Sequence, residues 1–130
     1  MDTHSDRDGK FPHKETTHAI IGAAFEVHKH LGYGYLEKVY QRAMQVELLS
    51  RGLKAEMEHA IQVYYKGVVV GDYAADLFVD GRVIVELKVA PEYCPAHEAQ
   101  LLNELVSTRV SVGLLINFGR ERVEFKRMAH

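Results

Sequence analysis

The chain has 130 residues, with 16 Lys and Arg against 18 Asp and Glu, which gives a formal net charge of −2 at pH 7. This length suits one domain and is short for two, and a core of this size needs no disulfide or structural metal. The near-zero charge excludes a protein that coats nucleic acid through a global positive field, so any phosphate-binding surface has to be local.

Cysteine use and the apolar runs indicate where the protein works. Cys94 has no cysteine partner for a disulfide or a zinc ribbon, which favours a reducing, cytoplasmic setting. The apolar runs are far shorter than the roughly 20 residues of a membrane helix, so we expect no membrane partner. Residues 1–14 are polar and lack the apolar segment of a signal peptide, which predicts a disordered tail followed by one domain over 15–130.

Two helices are predicted at the start of this domain. The first has Thr16 or Thr17 as its N-cap and ends at Gly32, and the second covers about 36–51. Their predicted buried residues are Ile21, Ala24, Phe25, His28 and Leu31 in the first helix, and Leu36, Val39, Tyr40, Ala43 and Val46 in the second.

Between residues 55 and 89 the apolar period changes to two, which predicts a three-stranded antiparallel meander with turns at 66–67 and 80–81. A third helix follows over about 96–108, then a strand over 110–118 and an edge strand over 123–126. The predicted apolar side of the third helix holds Ala99, Leu102, Leu105 and Val106. The order ααβββαββ predicts an α/β fold with a mixed sheet and the first two helices on one face.

The charges inside the second and third strands are Asp76, Glu86 and Lys88. Each of these strands has a row of apolar residues along one side. A two-residue turn between them would place the two rows on opposite faces of the sheet, so that one row is buried and the other exposed. An odd loop of three residues, 80–82, aligns both rows, including Ala75 and Leu77, against one helix layer and leaves the charges on one face. We therefore predict the odd loop.

In that register Asp76 and Glu86 lie opposite each other, with Cβ atoms roughly 5 Å apart, where two carboxylates repel unless a cation sits between them. Oxygen ligands suit Mg²⁺ or Mn²⁺ better than zinc. Lys88 could hold a water and stabilise negative charge on a phosphate. A solvated strand face would carry the same three charges, and this alternative stays open.

Two motifs resemble the PD-(D/E)XK nuclease superfamily. Asp76…Glu86-Leu87-Lys88 resembles its signature, and Gly34-Tyr35-Leu36-Glu37-Lys38-Val39-Tyr40 resembles the motif of one branch, the GxxExxY proteins. Further blocks at 21–28, 99–103 and 113–119 extend the resemblance over roughly 17–127. It implies a restriction-endonuclease-like core, in which helices flank a mixed central sheet.

The resemblance also implies a function and a set of site residues. The expected activity is Mg²⁺- or Mn²⁺-dependent hydrolysis of phosphodiester bonds in nucleic acid, with DNA a more favoured partner than RNA. Asp76, Glu86 and the backbone carbonyl of Leu87 would bind the metal, and Lys88 would be the catalytic lysine. Glu37 would act from the first helical layer and reach the same metal, a second one, or a water.

On the third helix, the resemblance makes Gln100 the residue that orients the substrate or the lysine. The sequence departs from the family at Glu104, where many relatives have Tyr, and a negative charge there weakens phosphate binding unless it points away.

Each candidate also has a structural interpretation. Glu37 is favoured in the first turn of a helix by about 0.3–1 kcal/mol without any catalytic duty, and Tyr40 could be a core aromatic with a bonded hydroxyl. The eight histidines show no metal-ligand spacing. A basic cluster near the C-terminus, formed by Arg120, Arg122, Lys126 and Arg127, would suit either a phosphate backbone or a charged edge strand.

Two other classes of function remain open at this point. One is a non-catalytic binding or assembly module with a nuclease-like core, and the other is chemistry on a nucleotide or small phosphate. The oligomeric state is also open, and a homodimer would let one small domain reach both strands of a duplex.

Overall fold

The structure, a computed structural model, describes residues 12–130, so most of the predicted tail lies outside the described residues. Its elements are α1 (Lys14–Leu31), α2 (Glu37–Ser50), β1 (Ala55–Tyr65), β2 (Val68–Val79), β3 (Val83–Lys88), α3 (Pro95–Thr108), β4 (Val112–Asn117) and β5 (Glu124–Ala129). The predicted N-cap is wrong, because the Thr17 amide already donates to the His13 carbonyl at 3.0 Å and helix α1 begins at Lys14.

Within residues 12–130 the strands form one mixed sheet in the order β1-β2-β3-β4-β5. Strands β3 and β4 are parallel and joined by α3, whereas the other neighbours are antiparallel. Helices α1 and α2 pack on one face of the sheet and α3 packs on the other, around two separate apolar clusters. This arrangement confirms the predicted fold. No helix in the described part of the chain is long and apolar enough to cross a membrane.

The β2–β3 hairpin has the predicted odd loop, since Val79 pairs with Val83 across three residues. Asp80 and Gly81 both have positive φ, and the Arg82 amide donates to the Val79 carbonyl at 2.9 Å. The loop is therefore a tight turn followed by one extra residue. Because the loop is odd, the apolar rows of the two strands face the same helix layer.

The helices bury only part of the predicted sets, since Ala24, Tyr40 and Leu105 are buried as predicted but several other predicted residues are not. The buried residues are Thr16, Thr17, Ile20, Ala23, Ala24 and Val27 in α1, Tyr40, Met44 and Leu48 in α2, and Leu101, Glu104 and Leu105 in α3. Of the predicted sets, four residues are at least half exposed: Phe25, Leu36, Val46 and Val106. Each helix has apolar residues on more than one face, so spacing alone does not select the stripe that meets the sheet.

Strand β2 is irregular at Asp76. Leu77 packs beneath α1 and α2 as predicted, but Ala75 packs in the cluster beneath α3, so its predicted side is wrong. Glu58, on the neighbouring strand, has a φ of 57°, and the ladder between β1 and β2 is interrupted at Glu58 and Asp76. This break in the ladder changes the face to which β2 turns its side chains, directly beside the candidate site.

Candidate active site

Asp76 and Glu86 lie where β2 and β3 separate. The ladder between the strands ends at the pair Leu77 and Val85, one position before the two carboxyl residues. Asp76 Oδ2 instead accepts a hydrogen bond from the Leu87 amide at 2.7 Å. A side-chain carboxylate therefore replaces a backbone acceptor at the open end of the hairpin, and the second oxygen of Asp76 is left for another partner.

Glu86 is the most deeply buried acid of this group, with 4% of its surface exposed. Its Oε2 atom has no hydrogen-bond partner among the described residues. Burial is the largest cause that raises the pKa of Glu86 above its ordinary value, and the neighbouring carboxyls of Glu104 and Asp76 raise it further. Without a cation, these surroundings favour the protonated form of this carboxyl.

Glu104 is a site residue that the sequence analysis did not predict, since it identified this position only as a departure from the family pattern. It is 5% exposed, lies in the middle of α3 and contacts Glu86, so it does not point away from the site. Its Oε1 atom also has no hydrogen-bond partner in the part of the chain that the structure describes. Its position one helical turn after Gln100 was the available signal, but whether it meets β3 depends on how α3 packs.

Glu37 reaches the site from the first turn of α2. Partial burial raises the pKa of its carboxyl, the Asp76 carboxylate raises it further, and Lys88 lowers it. Glu37 therefore faces both residues across the helix–sheet boundary. The structure brings together the four charged residues that the sequence predicted, Asp76, Glu86, Lys88 and Glu37.

The loop before Glu37 is held by Tyr40. Its hydroxyl donates to the Gly32 carbonyl at 2.6 Å, and its fully buried ring stacks on Phe118 with centroids 4.6 Å apart. Gly34, with a φ of 116°, takes a backbone conformation that favours glycine. The core interpretation of Tyr40 is confirmed, and this packing sets where α2 begins.

Gln41 is a further residue near the site that the sequence did not indicate. Its amide nitrogen donates to the Asp76 carbonyl at 2.9 Å and to Glu58 Oε2 at 2.6 Å. Both partners lie at the interruption of the β1–β2 ladder. A side chain of α2 thus supports the backbone of Asp76 where the strand bonds are missing.

Lys88 follows Glu86 on β3, and Gln100 lies one helical turn before Glu104 on α3. Lys88 is half-buried and lines a cavity of about 370 Å³ together with His97 and Asn117. Gln100 is exposed on α3 and donates from its amide to Glu104 Oε2 at 3.2 Å. Gln100 is therefore connected to Glu86 through Glu104.

The oxygen atoms at this site suit a hard divalent cation. Glu86 has a buried oxygen without a partner among residues 12–130, and Asp76 has one oxygen beyond its bond to Leu87. No group of three His, Cys, Asp or Glu side chains in that range has the geometry of a metal site by itself. A cation here would need main-chain or water oxygens as well, which is normal for Mg²⁺.

The basic cluster near the C-terminus is largely engaged by protein groups. Arg120 lies 3.6 Å from Glu124, and Lys126 lies 3.7 Å from Glu98. Arg127 donates to the Pro12 carbonyl at 2.8 Å. These contacts lie on and beside the edge strand β5, as the edge-strand interpretation expects.

A family model of the PD-(D/E)XK nuclease superfamily matches residues 14–128, a range that covers all the helices and strands described above except the last residue of β5. The chain belongs to the PD-(D/E)XK nuclease superfamily. In this superfamily member, the predicted motif Asp76…Glu86-Leu87-Lys88 lies at the open end of the β2–β3 hairpin.

The fold of this superfamily member is similar to a solved structure, the crystal structure of SSO0001. The similarity has a TM-score of 0.53 at 16% sequence identity and covers 72% of this chain and 49% of that one. The chain thus spans about half the length of the protein that it matches, and the likeness concerns the fold. No curated protein matches the sequence.

Proposed function

We propose that this chain is a divalent-metal-dependent nuclease that hydrolyses phosphodiester bonds in nucleic acid, with DNA preferred over RNA. The observation that carries the proposal is the buried, unpartnered Glu86 oxygen beside Asp76, within residues 12–130 of a nuclease-superfamily chain. A buried carboxyl without a partner is costly for a fold, and a bound cation would offset that cost.

In this proposal Asp76, Glu86 and the backbone carbonyl of Leu87 hold Mg²⁺ or Mn²⁺, and Glu37 is a further acid close to the same ion. The bound cation supplies an acidified water and charge neutralisation at the phosphate. Glu86 has to lose its proton before it binds the ion. The hydrogen bond from the Leu87 amide orients the Asp76 carboxylate.

Lys88 is the catalytic lysine of the proposal. It lies on the same strand as Glu86, near Glu37, and lines an open cavity, so its ammonium group can meet a water or a phosphate oxygen. There it would stabilise the negative charge that develops on the phosphate. Gln100 would orient the substrate from α3, and its own amide is oriented by Glu104.

We also propose that the chain belongs to the GxxExxY branch, works in the cytoplasm and forms a homodimer. The branch assignment is supported by the motif residues, since Gly34 shapes the loop, Glu37 faces the site and Tyr40 anchors α2. Sedimentation with and without Mg²⁺ tests the dimer.

A cleavage screen tests the activity. Plasmid, linear duplex, single-stranded DNA and RNA are incubated with Mg²⁺ or Mn²⁺ and the purified chain. We expect cleavage that Lys88→Ala and Glu86→Ala abolish. If both variants cleave as the wild type does, the activity belongs to another site or a contaminant.

A non-catalytic module is the second candidate, favoured by the second buried carboxyl at Glu104. A negative charge against Glu86 weakens phosphate binding and raises the proton affinity of a metal ligand. Titration with Mg²⁺ separates the two functions, because a working site predicts a rise in Tm that Asp76→Ala removes. No rise in the wild type favours the module.

A further inference from the structure

A groove of about 560 Å³ runs between the β1–β2 hairpin and α3. The hairpin wall includes Ile61, Val63 and Tyr73, and the helix wall includes Gln100, Asn103 and Glu104. The strands of this hairpin continue well beyond the short β2–β3 ladder, so the hairpin wall stands free of β3 at Tyr73.

The groove is continuous with the candidate active site. Glu104 lines the groove, and its carboxyl neighbours that of Glu86. Gln100 also lines the groove and bonds to Glu104. A molecule held in the groove therefore lies next to the carboxyls that the proposed nuclease uses.

The chemistry of the lining selects against phosphate. Among the described residues that line the groove, Glu104 is the one ionisable acid and there is no Lys or Arg. A phosphate would meet a carboxylate here and no cation. Aromatic, aliphatic and amide groups together suit a neutral planar ring that carries hydrogen-bonding groups on its edge.

Tyr73 provides the aromatic surface. Its side chain is 55% exposed, although it lines the groove. The Tyr73 ring extends over Gly71, where its Cε2 lies 3.1 Å from the position that a Cβ at Gly71 would take. Glycine at 71 therefore leaves room for this ring, and a methyl group there would push the ring by a few tenths of an ångström.

The amides of α3 face this aromatic surface across the groove. Gln100 uses one N–H for Glu104 Oε2, which leaves its second N–H and its carbonyl oxygen for a ligand. Asn103, one turn from Ser107 on the same helix, adds a second amide to the wall. Such donor and acceptor pairs match the Watson–Crick edge of a base that is not already paired.

We propose that this groove binds an unpaired nucleobase, so that the substrate class of the chain is single-stranded or locally melted nucleic acid. This inference rests on the proposed function for its link to cleavage, but not for binding. The base stacks on Tyr73 and meets the amides of Gln100 and Asn103, and its neighbouring phosphate is placed at the Asp76–Glu86 site. A paired base has neither a free edge nor a free ring face, so duplex is excluded from the groove.

The test measures binding of oligonucleotides to the full chain in Mg²⁺, in a Lys88→Ala background that prevents cleavage. Fluorescence anisotropy gives Kd for a 2-aminopurine single strand and for its duplex, and 2-aminopurine quenching reports stacking. We expect the single strand to bind more tightly, and Tyr73→Ala to weaken its binding roughly 5- to 100-fold and abolish the quenching.

Matched variants separate stacking from general damage to the hairpin. Tyr73→Phe keeps the ring and should bind within about twofold of its parent, whereas Gly71→Ala should weaken binding because it displaces the ring. Tyr64→Ala removes an exposed tyrosine of the hairpin outside the groove and should have no effect. A thermal melt of each variant checks the fold.

Equal affinity for duplex and single strand, or a Tyr73→Ala variant that binds and quenches as its parent does, overturns the inference even if the wild type cleaves duplex DNA. Single-strand binding that depends on Tyr73 supports it even if the wild type cleaves nothing, in which case the proposed nuclease function fails alone.

Discussion

Glu86 and Glu104 are two buried carboxyls in contact. We therefore expect the metal-free protein to become more stable when one of these carboxyls is replaced by a neutral group. Both side chains are at least nine-tenths buried, and each has an oxygen with no hydrogen-bond partner among residues 12–130. The perturbation is Glu104→Gln. Its amide oxygen can still accept from Gln100, and its amide nitrogen can donate to Glu86.

The expected gain follows from what the substitution removes. One unit of pKa shift corresponds to about 1.4 kcal/mol, and a buried polar group without a partner costs about 1–3 kcal/mol. Gln has the shape of Glu, so no cavity opens. We expect the free energy of unfolding at pH 8 without metal to rise by about 1–3 kcal/mol, which is roughly 3–12 °C in Tm for a chain of this size.

The pH dependence of the free energy of unfolding is a second test of the predicted stabilisation. The pKa of Glu86 in the folded protein lies above its ordinary value of 4.5. Its proton therefore stabilises the fold fully below that value, and this contribution is lost as the pH rises towards the folded-state pKa. Because Glu104→Gln relieves the charge that drives this loss, its advantage should grow from pH 5 to pH 9 and vanish near pH 4.5.

Denaturant unfolding in EDTA at pH 5, 7 and 9 measures these differences. Glu121→Gln is the matched control, because it makes the same chemical change at an exposed position and should stay within about 0.5 kcal/mol of the wild type. A Glu104→Gln variant that is no more stable than the wild type at pH 8, or an advantage that does not change with pH, would refute the reasoning.

Three more outcomes are expected. Mg²⁺ should raise the Tm of the wild type, more at pH 8 than at pH 6 because the ligand carboxyl must lose a proton, and Asp76→Ala should abolish the rise; calorimetry should detect the released protons. Tyr40→Phe should cost about 0.5–1.5 kcal/mol in chemical unfolding, because it loses the 2.6 Å bond to the loop before α2; an unchanged midpoint would contradict this. Gly119→Ala should yield little folded protein by circular dichroism, since its Cβ would stand 2.6 Å from the Ala90 carbonyl oxygen; a normal melt would show that this backbone can move.

The sequence predicted those residues of the candidate site that lie on strands β2 and β3. Asp76, Glu86 and Lys88 alternate with apolar residues, and a period of two allows one register that buries both apolar rows. The predicted odd loop at 80–82 is confirmed, and Glu37 is brought to the same place from α2. Local periodicity was sufficient from Leu77 onwards, because a one-residue slip would expose the apolar side chains of one strand, but it failed at Ala75, beyond the break in the ladder.

The sequence by itself determined the order of the elements, the mixed sheet and the position of the carboxyls on adjacent strands. Only the tertiary structure decided which helix faces are buried, that Ala75 turns to the α3 side, and that Glu104 lies against Glu86. The physical reason is that these features depend on contacts between elements. A helix with apolar residues on several faces gains similar burial from more than one orientation, and its choice is made by the shape and charge of the sheet surface that it meets.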